Sequence, residues 1–170
     1  MNNYKIIELT EENAIDYAKV NTLAWIQSYK NIIDKQFLDS INTENEIYKM
    51  RDNIINSLSD ESKGYLLKVN NNYVGIIRVR KTKYSKYDNY GELGALYLLD
   101  NVKKLGYGKI LFEFAKKELK NMGYDKLIVG CLENNPSNDF YIHMGCRFEK
   151  KNPIIIGKQE LLENIYIMKL

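Results

Sequence analysis

The stretch from Leu96 to Met122 constrains the fold of this chain more than any other. An apolar run ends at Leu99, a short lysine-bearing link follows, and Gly106-Tyr107-Gly108 opens a segment with helical periodicity. Ile110, Leu111, Phe114, Ala115 and Leu119 share one face of a helix predicted over Lys109 to Met122; lysines and glutamates fill the other, and Gly123 stands at the C′ position. A strand feeding an amphipathic helix calls for an α/β architecture. The turn between them also has chemical meaning. A helix N-terminus offers unpaired N–H groups and a partial positive charge. The two glycines let a ligand approach the backbone and permit positive φ, and Lys103, Lys104 and Lys109 add charge. Such a turn suits a phosphate; it equally suits a plain connection with solvated lysines.

The flanking sequence fills out the fold. Strands are predicted at Lys5 to Leu9, Lys63 to Val69, Tyr73 to Arg80, Tyr90 to Leu99, Lys126 to Leu132, Phe148 to Ile156 and Ile165 to Leu170. Thr10-Glu11-Glu12-Asn13 reads as a helix start, with apolar spacing continuing to about Tyr29. A second helical stretch runs from about Asp34 to Leu58, and a brief helix from Pro136 to Met144 has proline at its first position. Asn70-Asn71-Asn72 is a hairpin turn signal, and the polar, tyrosine-rich Lys81 to Asn89 a loop. The order β-α-α-β-β-β-α-β-α-β-β predicts a mixed, mostly antiparallel sheet of about seven strands with helices on both faces.

With 170 residues and no linker-like or low-complexity tract, a single domain over 1–170 is expected. Hydrophobic residues at 45% and charged residues at 28% exclude disorder of the bulk of the chain. A net charge of +3, with lysines scattered among carboxylates, argues against a nucleic-acid partner. No run approaches the ~20 apolar residues of a membrane span. Met1-Asn2-Asn3-Tyr4 leads to a polar Glu8 rather than an export signal, so a cytoplasmic chain is expected. Cys131 and Cys146 then read as buried thiols rather than a disulfide, and with His143 they lack the spacing of a metal site.

Two familiar phosphate motifs fail on spacing. A Walker A loop needs a glycine where Lys103 stands and Ser or Thr where Ile110 stands; a dinucleotide fingerprint needs a third glycine where Leu111 stands. The segment Lys103-Lys104-Leu105-Gly106-Tyr107-Gly108 instead resembles the Gln/Arg-x-x-Gly-x-Gly/Ala signature of the GCN5-related N-acetyltransferases, with Lys103 in place of the usual Gln or Arg. Downstream, Asn135-Pro136-Ser137-Asn138-Asp139-Phe140-Tyr141-Ile142-His143-Met144-Gly145 is similar to the family's Asn-…-small-…-Phe/Leu-Tyr-x-x-x-Gly block, and Gly91 to Leu98 to its fourth strand.

This resemblance implies an acetyl-CoA-dependent N-acetyltransferase that acetylates a primary amine of a small molecule or peptide by direct attack, without metal, as monomer or homodimer. A non-catalytic acyl-CoA-binding or regulatory module is the alternative. The resemblance assigns the pyrophosphate to Lys103, Lys104, Leu105, Gly106, Tyr107, Gly108 and Lys109, and the acetyl carbonyl to backbone N–H groups where the fourth strand bulges, at Leu96, Tyr97 and Leu98. The pantetheine arm falls to Asn134 or Asn135, with Ser137 and Tyr141 nearby. Tyr141 matches the family's general acid, a phenol still protonated at neutral pH. Glu92 matches the position from which many members supply a base; it also reads as an exposed strand glutamate. Trp25 and Tyr29, one helical turn apart, fit either an acceptor wall or an aromatic core pair.

Overall fold

A computed structural model describes residues 3–170; the first two residues of the expected 1–170 domain lie outside the described residues. Seven strands, β1 (Tyr4–Glu8), β2 (Ser62–Val69), β3 (Asn72–Lys81), β4 (Gly91–Leu98), β5 (Lys126–Leu132), β6 (Arg147–Ile156) and β7 (Gln159–Lys169), form one sheet. Their spatial order is β1-β2-β3-β4-β5-β7-β6. Five helices accompany them: α1 (Ala14–Tyr29), α2 (Lys35–Ile41), α3 (Glu44–Asn56), α4 (Tyr107–Asn121) and α5 (Ser137–His143). None is long and apolar enough to cross a membrane.

Side-chain alternation in the central strands builds a core on each face. Leu67, Ile77 and Val79 join Leu111, Phe112 and Ala115 of α4 in the larger one. Their neighbours Leu66 and Ile76 face Ala14, Tyr17 and Val20 on the α1 side. Leu111 and Phe112 are wholly buried, each worth about 1.5–3 kcal/mol relative to exposure. Beyond α1, Tyr84, Tyr87 and Tyr90 from the β3–β4 connection pack on Ile128, Ile165 and Ile167.

Several local signals act as read. The Thr10 N–H donates to Asn13 Oδ1 at 2.9 Å, closing the start of α1. Asn70 and Asn71 take positive φ, as a tight hairpin with right-handed twist demands. Two expectations need correction. The helix predicted from Asp34 to Leu58 is two helices, because Thr43 caps a new start by accepting from the Glu46 N–H at 3.3 Å. The last strand begins at Gln159, six residues before Ile165. That polar extension pairs with β6 across the turn at Gly157; pairing with a neighbour strand overrides its weak strand composition.

The irregularities of β4 shape the site. Against β3, Arg78 pairs with Ala95 but Val79 with Leu93, so Gly94 is an extra, bulged residue. The bulge resets the alternation, leaving Leu93, Leu96 and Leu98 all on the α4 face. On its other side β4 pairs with β5 in parallel through Gly91–Leu127 and Glu92–Ile128, and there the pairing stops. The strands then part.

Candidate active site

The gap between β4 and β5 opens into a cleft of about 950 Å³, a volume typical of small-ligand sites. The ends of β4 and β5, the first turn of α4, the start of α5 and the C-terminal end of α1 wall it. Leu96, Tyr97, Leu98, Lys103, Lys104, Gly106, Gly108, Lys109, Asn134, Asn135, Ser137, Tyr141 and Tyr29 all line it, whereas Leu105, Tyr107, Glu92 and Trp25 do not. Tyr107 is buried in the α4 core with its ring against Tyr4. Leu105 is exposed, and Trp25 packs behind Tyr29, ring centroids 5.0 Å apart.

At the α4 end, the turn presents backbone. Gly106 adopts φ +88° immediately before the helix, the conformation that glycine tolerates best. Gly108 does not use the positive φ that glycine permits: it lies inside α4, and a Cβ there would meet the Phe140 ring at 3.4 Å. The N–H groups of the first helical turn have no intrahelical acceptor; the first of the α4 ladder joins Ile110 N to the Gly106 carbonyl.

Along the β4 wall, hydrogen-bond parity selects donors. Leu99 N donates to Val74 O at 2.9 Å, and Ile76 is opposite Tyr97. Alternation therefore points the Tyr97 N–H toward β3 and the Leu96 and Leu98 N–H groups into the gap. The bulge expected at Leu96 to Leu98 sits earlier, at Gly94; the open donors arise because β5 has turned away.

The opposite wall depends on Asn138, which sequence reading passed over. Its Nδ2 donates to the carbonyls of Leu132, Glu133 and Asn135, while its Oδ1 accepts from Asn164 Nδ2 and the Tyr166 hydroxyl. One side chain thus ties the β5–α5 connection to β7. Asn135 is buried with Oδ1 accepting from the Ser137 N–H, a cap for α5. Asn134 is exposed at the rim.

Tyr141 is buried and packed against Phe112, Phe140 and Tyr166. Its hydroxyl makes no hydrogen bond to any described residue, and it is not among the sealed unpartnered atoms, so it opens to the cleft. Burial, assisted by Cys131, Tyr29 and Cys146, holds its pKa well above that of a free phenol. Across the cleft the Tyr29 and Tyr97 hydroxyls are 2.9 Å apart. Burial pushes Tyr29 up to about 12, and burial with Glu163 pushes the Cys131 thiol up to about 12. Both cysteines are free. Among the described residues, no three metal-binding side chains gather.

A family model for the acetyltransferase (GNAT) family matches residues 26–146. The chain belongs to that family. It is 29% identical over 132 residues, 76% of its length and 72% of the other's, to the uncharacterized N-acetyltransferase YuaI of Bacillus subtilis. Its fold superimposes with a TM-score of 0.77 on the PaiA N-acetyltransferase of Thermoplasma acidophilum, crystallised with coenzyme A, at 21% identity over 99% of both chains. An acetyltransferase of Thermus thermophilus aligns over the full length of both chains at a TM-score of 0.73 and 17% identity.

Within this GNAT acetyltransferase, Glu92 holds an unexpected station. It is 3% exposed, and both carboxylate oxygens are engaged: Oε1 accepts from Arg80 Nη2 and Oε2 from the Lys83 N–H, each at 2.8 Å. The reading of Glu92 as an exposed strand glutamate is therefore wrong. As a base it would first have to release the β3–β4 loop that it anchors.

Proposed function

We propose that the cleft takes acetyl-CoA from the α4–α5 side and a primary amine from the α1 side. The observation that carries this reading is the convergence, in one cleft, of a helix N-terminus, two unpaired strand N–H groups and an unpartnered phenol. The first turn of α4, with Lys103, Lys104 and Lys109, suits a pyrophosphate. Gly106 and Gly108 line that part of the cleft without side chains to obstruct it. Asn134 is free for the pantetheine arm, whereas Asn135 is occupied as a cap.

Acetyl-CoA supplies a thioester whose carbonyl gains negative charge when an amine attacks. The Leu96 and Leu98 N–H groups are already oriented, so they stabilise that charge with little reorganisation. Tyr141 lends its proton to the departing sulfur. A raised pKa keeps the phenol protonated at neutral pH, and a thiolate formed in the same dry surroundings is equally in need of a proton. Tyr29 and Tyr97 border the acceptor side, with Trp25 buttressing Tyr29 from behind. The same reading takes residues 1–170 as one domain acting in the cytoplasm on a small-molecule or peptide amine, as monomer or homodimer.

The test pairs calorimetry of acetyl-CoA binding with coenzyme A release across a panel of primary amines. We expect binding that Gly108→Val weakens, and turnover with at least one amine class. Binding without turnover on any amine would leave the non-catalytic acyl-CoA-binding module. Absence of binding would overturn the reading.

A further inference from the structure

The Tyr141 hydroxyl makes no hydrogen bond to any described residue, so its place in the cleft is set by its ring and by the helix that carries it. That helix, α5, has only seven residues, too few to persist without outside support. Packing supplies part of the support, since Phe140 and Tyr141 both lie against Phe112 of α4. The rest is hydrogen bonding. Among the described residues, every side-chain hydrogen bond that α5 makes comes from Asn138.

Asn138 stands three residues before Tyr141, a neighbouring position on the helix surface. Its Nδ2 is 2.8 Å from the Leu132 carbonyl, 3.0 Å from that of Glu133 and 2.6 Å from that of Asn135, which ties the first turn of α5 to the end of β5. Its Oδ1 accepts from the Tyr166 hydroxyl at 2.9 Å and from Asn164 Nδ2 at 3.0 Å, both on β7. The Tyr166 bond reaches Tyr141 by a second route. Tyr166 is buried, and its ring centroid is 6.0 Å from that of Tyr141 at an interplanar angle of 30°. One path thus runs from Asn138 to the phenol through helix backbone, the other through the adjacent ring. Removing the amide would take a donor from three carbonyls and an acceptor from Tyr166, leaving α5 free to shift against β7.

We infer that Asn138 is the positioning residue of Tyr141: it sets where the phenol stands in the cleft, although Asn138 itself does not line that cleft. The inference rests on the reading of Tyr141 as proton donor given above and adds the residue that aims it. Proton transfer to the departing sulfur needs hydrogen-bond reach, and a misplacement of about 1 Å can cost about 10²-fold in rate.

The experiment measures kcat by coenzyme A release at saturating acetyl-CoA, with whichever of n-butylamine, benzylamine and glycinamide the wild-type chain acetylates fastest. Asn138→Ala is introduced into the wild-type chain and into Tyr141→Phe. We expect kcat to fall about tenfold or more in the first and less than about twofold in the second, where no hydroxyl remains to be aimed. Equal fold-losses in the two backgrounds, or no loss in the wild type, overturn this inference alone and leave Asn138 a structural tie. Tyr166→Phe keeps the ring and removes one hydrogen bond; kcat should fall about threefold, again only where Tyr141 is present. That variant gives the answer should Asn138→Ala fail to fold. A Tyr141→Phe chain as fast as the wild type, or a wild-type chain that acetylates none of the three amines, overturns the reading of Tyr141 and this inference with it.

Discussion

At the α4 end of the cleft the groups proposed to hold acetyl-CoA come mainly from one continuous stretch, Leu96 to Lys109, and most are backbone N–H groups. At the α1 end they are side chains drawn from distant segments: the Tyr29 hydroxyl of α1 meets that of Tyr97 on β4, with Trp25 packed behind. The first end is local and built on backbone, so changing a side chain there matters only where the new one takes up space. The second relies on partners, so removing one side chain leaves others unsatisfied. Tyr141 stands between the two ends, and substitutions there and on either side test the contrast.

The largest effect is expected at Tyr141→Phe. The ring packing against Phe112, Phe140 and Tyr166 remains, and no hydrogen bond among the described residues is lost. Turnover should fall by about 10²-fold or more, with acetyl-CoA affinity unchanged by calorimetry. Retained turnover would remove Tyr141 from the chemistry.

Gly108→Val comes next and probes the backbone end through space alone. The new side chain presses on Phe140 and narrows the cleft floor. Acetyl-CoA affinity should drop about tenfold, or about 1.4 kcal/mol, in a chain that still folds. An unchanged dissociation constant would move the phosphate site away from this turn.

The difference between the ends also explains what the sequence disclosed. Gly106, Gly108 and the α4 periodicity are neighbours in the chain, so the strand, turn and helix, and with them the family resemblance, were legible. The same holds for the Asn70-Asn71 turn and for the placement of Tyr141 in the cleft. The Tyr29–Tyr97 contact was not legible, because the two residues lie on α1 and β4 and nothing in the chain near either one marks the other. Glu92 was found by position, yet its engagement with Arg80 and Lys83 depends on how the β3–β4 loop folds back. Thr43 divided a predicted helix by a cap that apolar periodicity does not register. Asn138 looked like one more loop asparagine.

Glu92→Gln probes a side-chain network outside the cleft lining, where Glu92 holds Arg80 and the Lys83 N–H. An amide keeps one acceptor but sets an NH2 group against a donor, either Arg80 or the Lys83 N–H. Because Arg80 is 38% exposed, solvent screens part of the loss. We expect a destabilisation of about 1 kcal/mol, measured as a fall in Tm of about 2–4 °C, with turnover reduced less than tenfold. A collapse in rate at unchanged Tm would instead make Glu92 the proton acceptor, more directly chemical than its hydrogen bonds indicate.

The smallest effect is expected at Gly106→Ala, which separates conformation from space at the backbone end. A Cβ at Gly106 meets nothing within 4 Å, so no clash arises, but φ stays at +88°. An L-residue in the left-handed region costs about 1–2 kcal/mol. Alanine's narrower unfolded ensemble returns about 0.4–1 kcal/mol. The net loss should therefore be about 0.5–1 kcal/mol, read from urea midpoints with an unchanged m-value. Lys104 already adopts φ +62° two residues earlier, so the turn tolerates strain of this kind without unfolding. Acetyl-CoA affinity should change less than in Gly108→Val, because the added methyl points into open space rather than onto Phe140. If affinity instead falls as steeply as it does there, the phosphates lie in the open space over Gly106, two residues before Gly108.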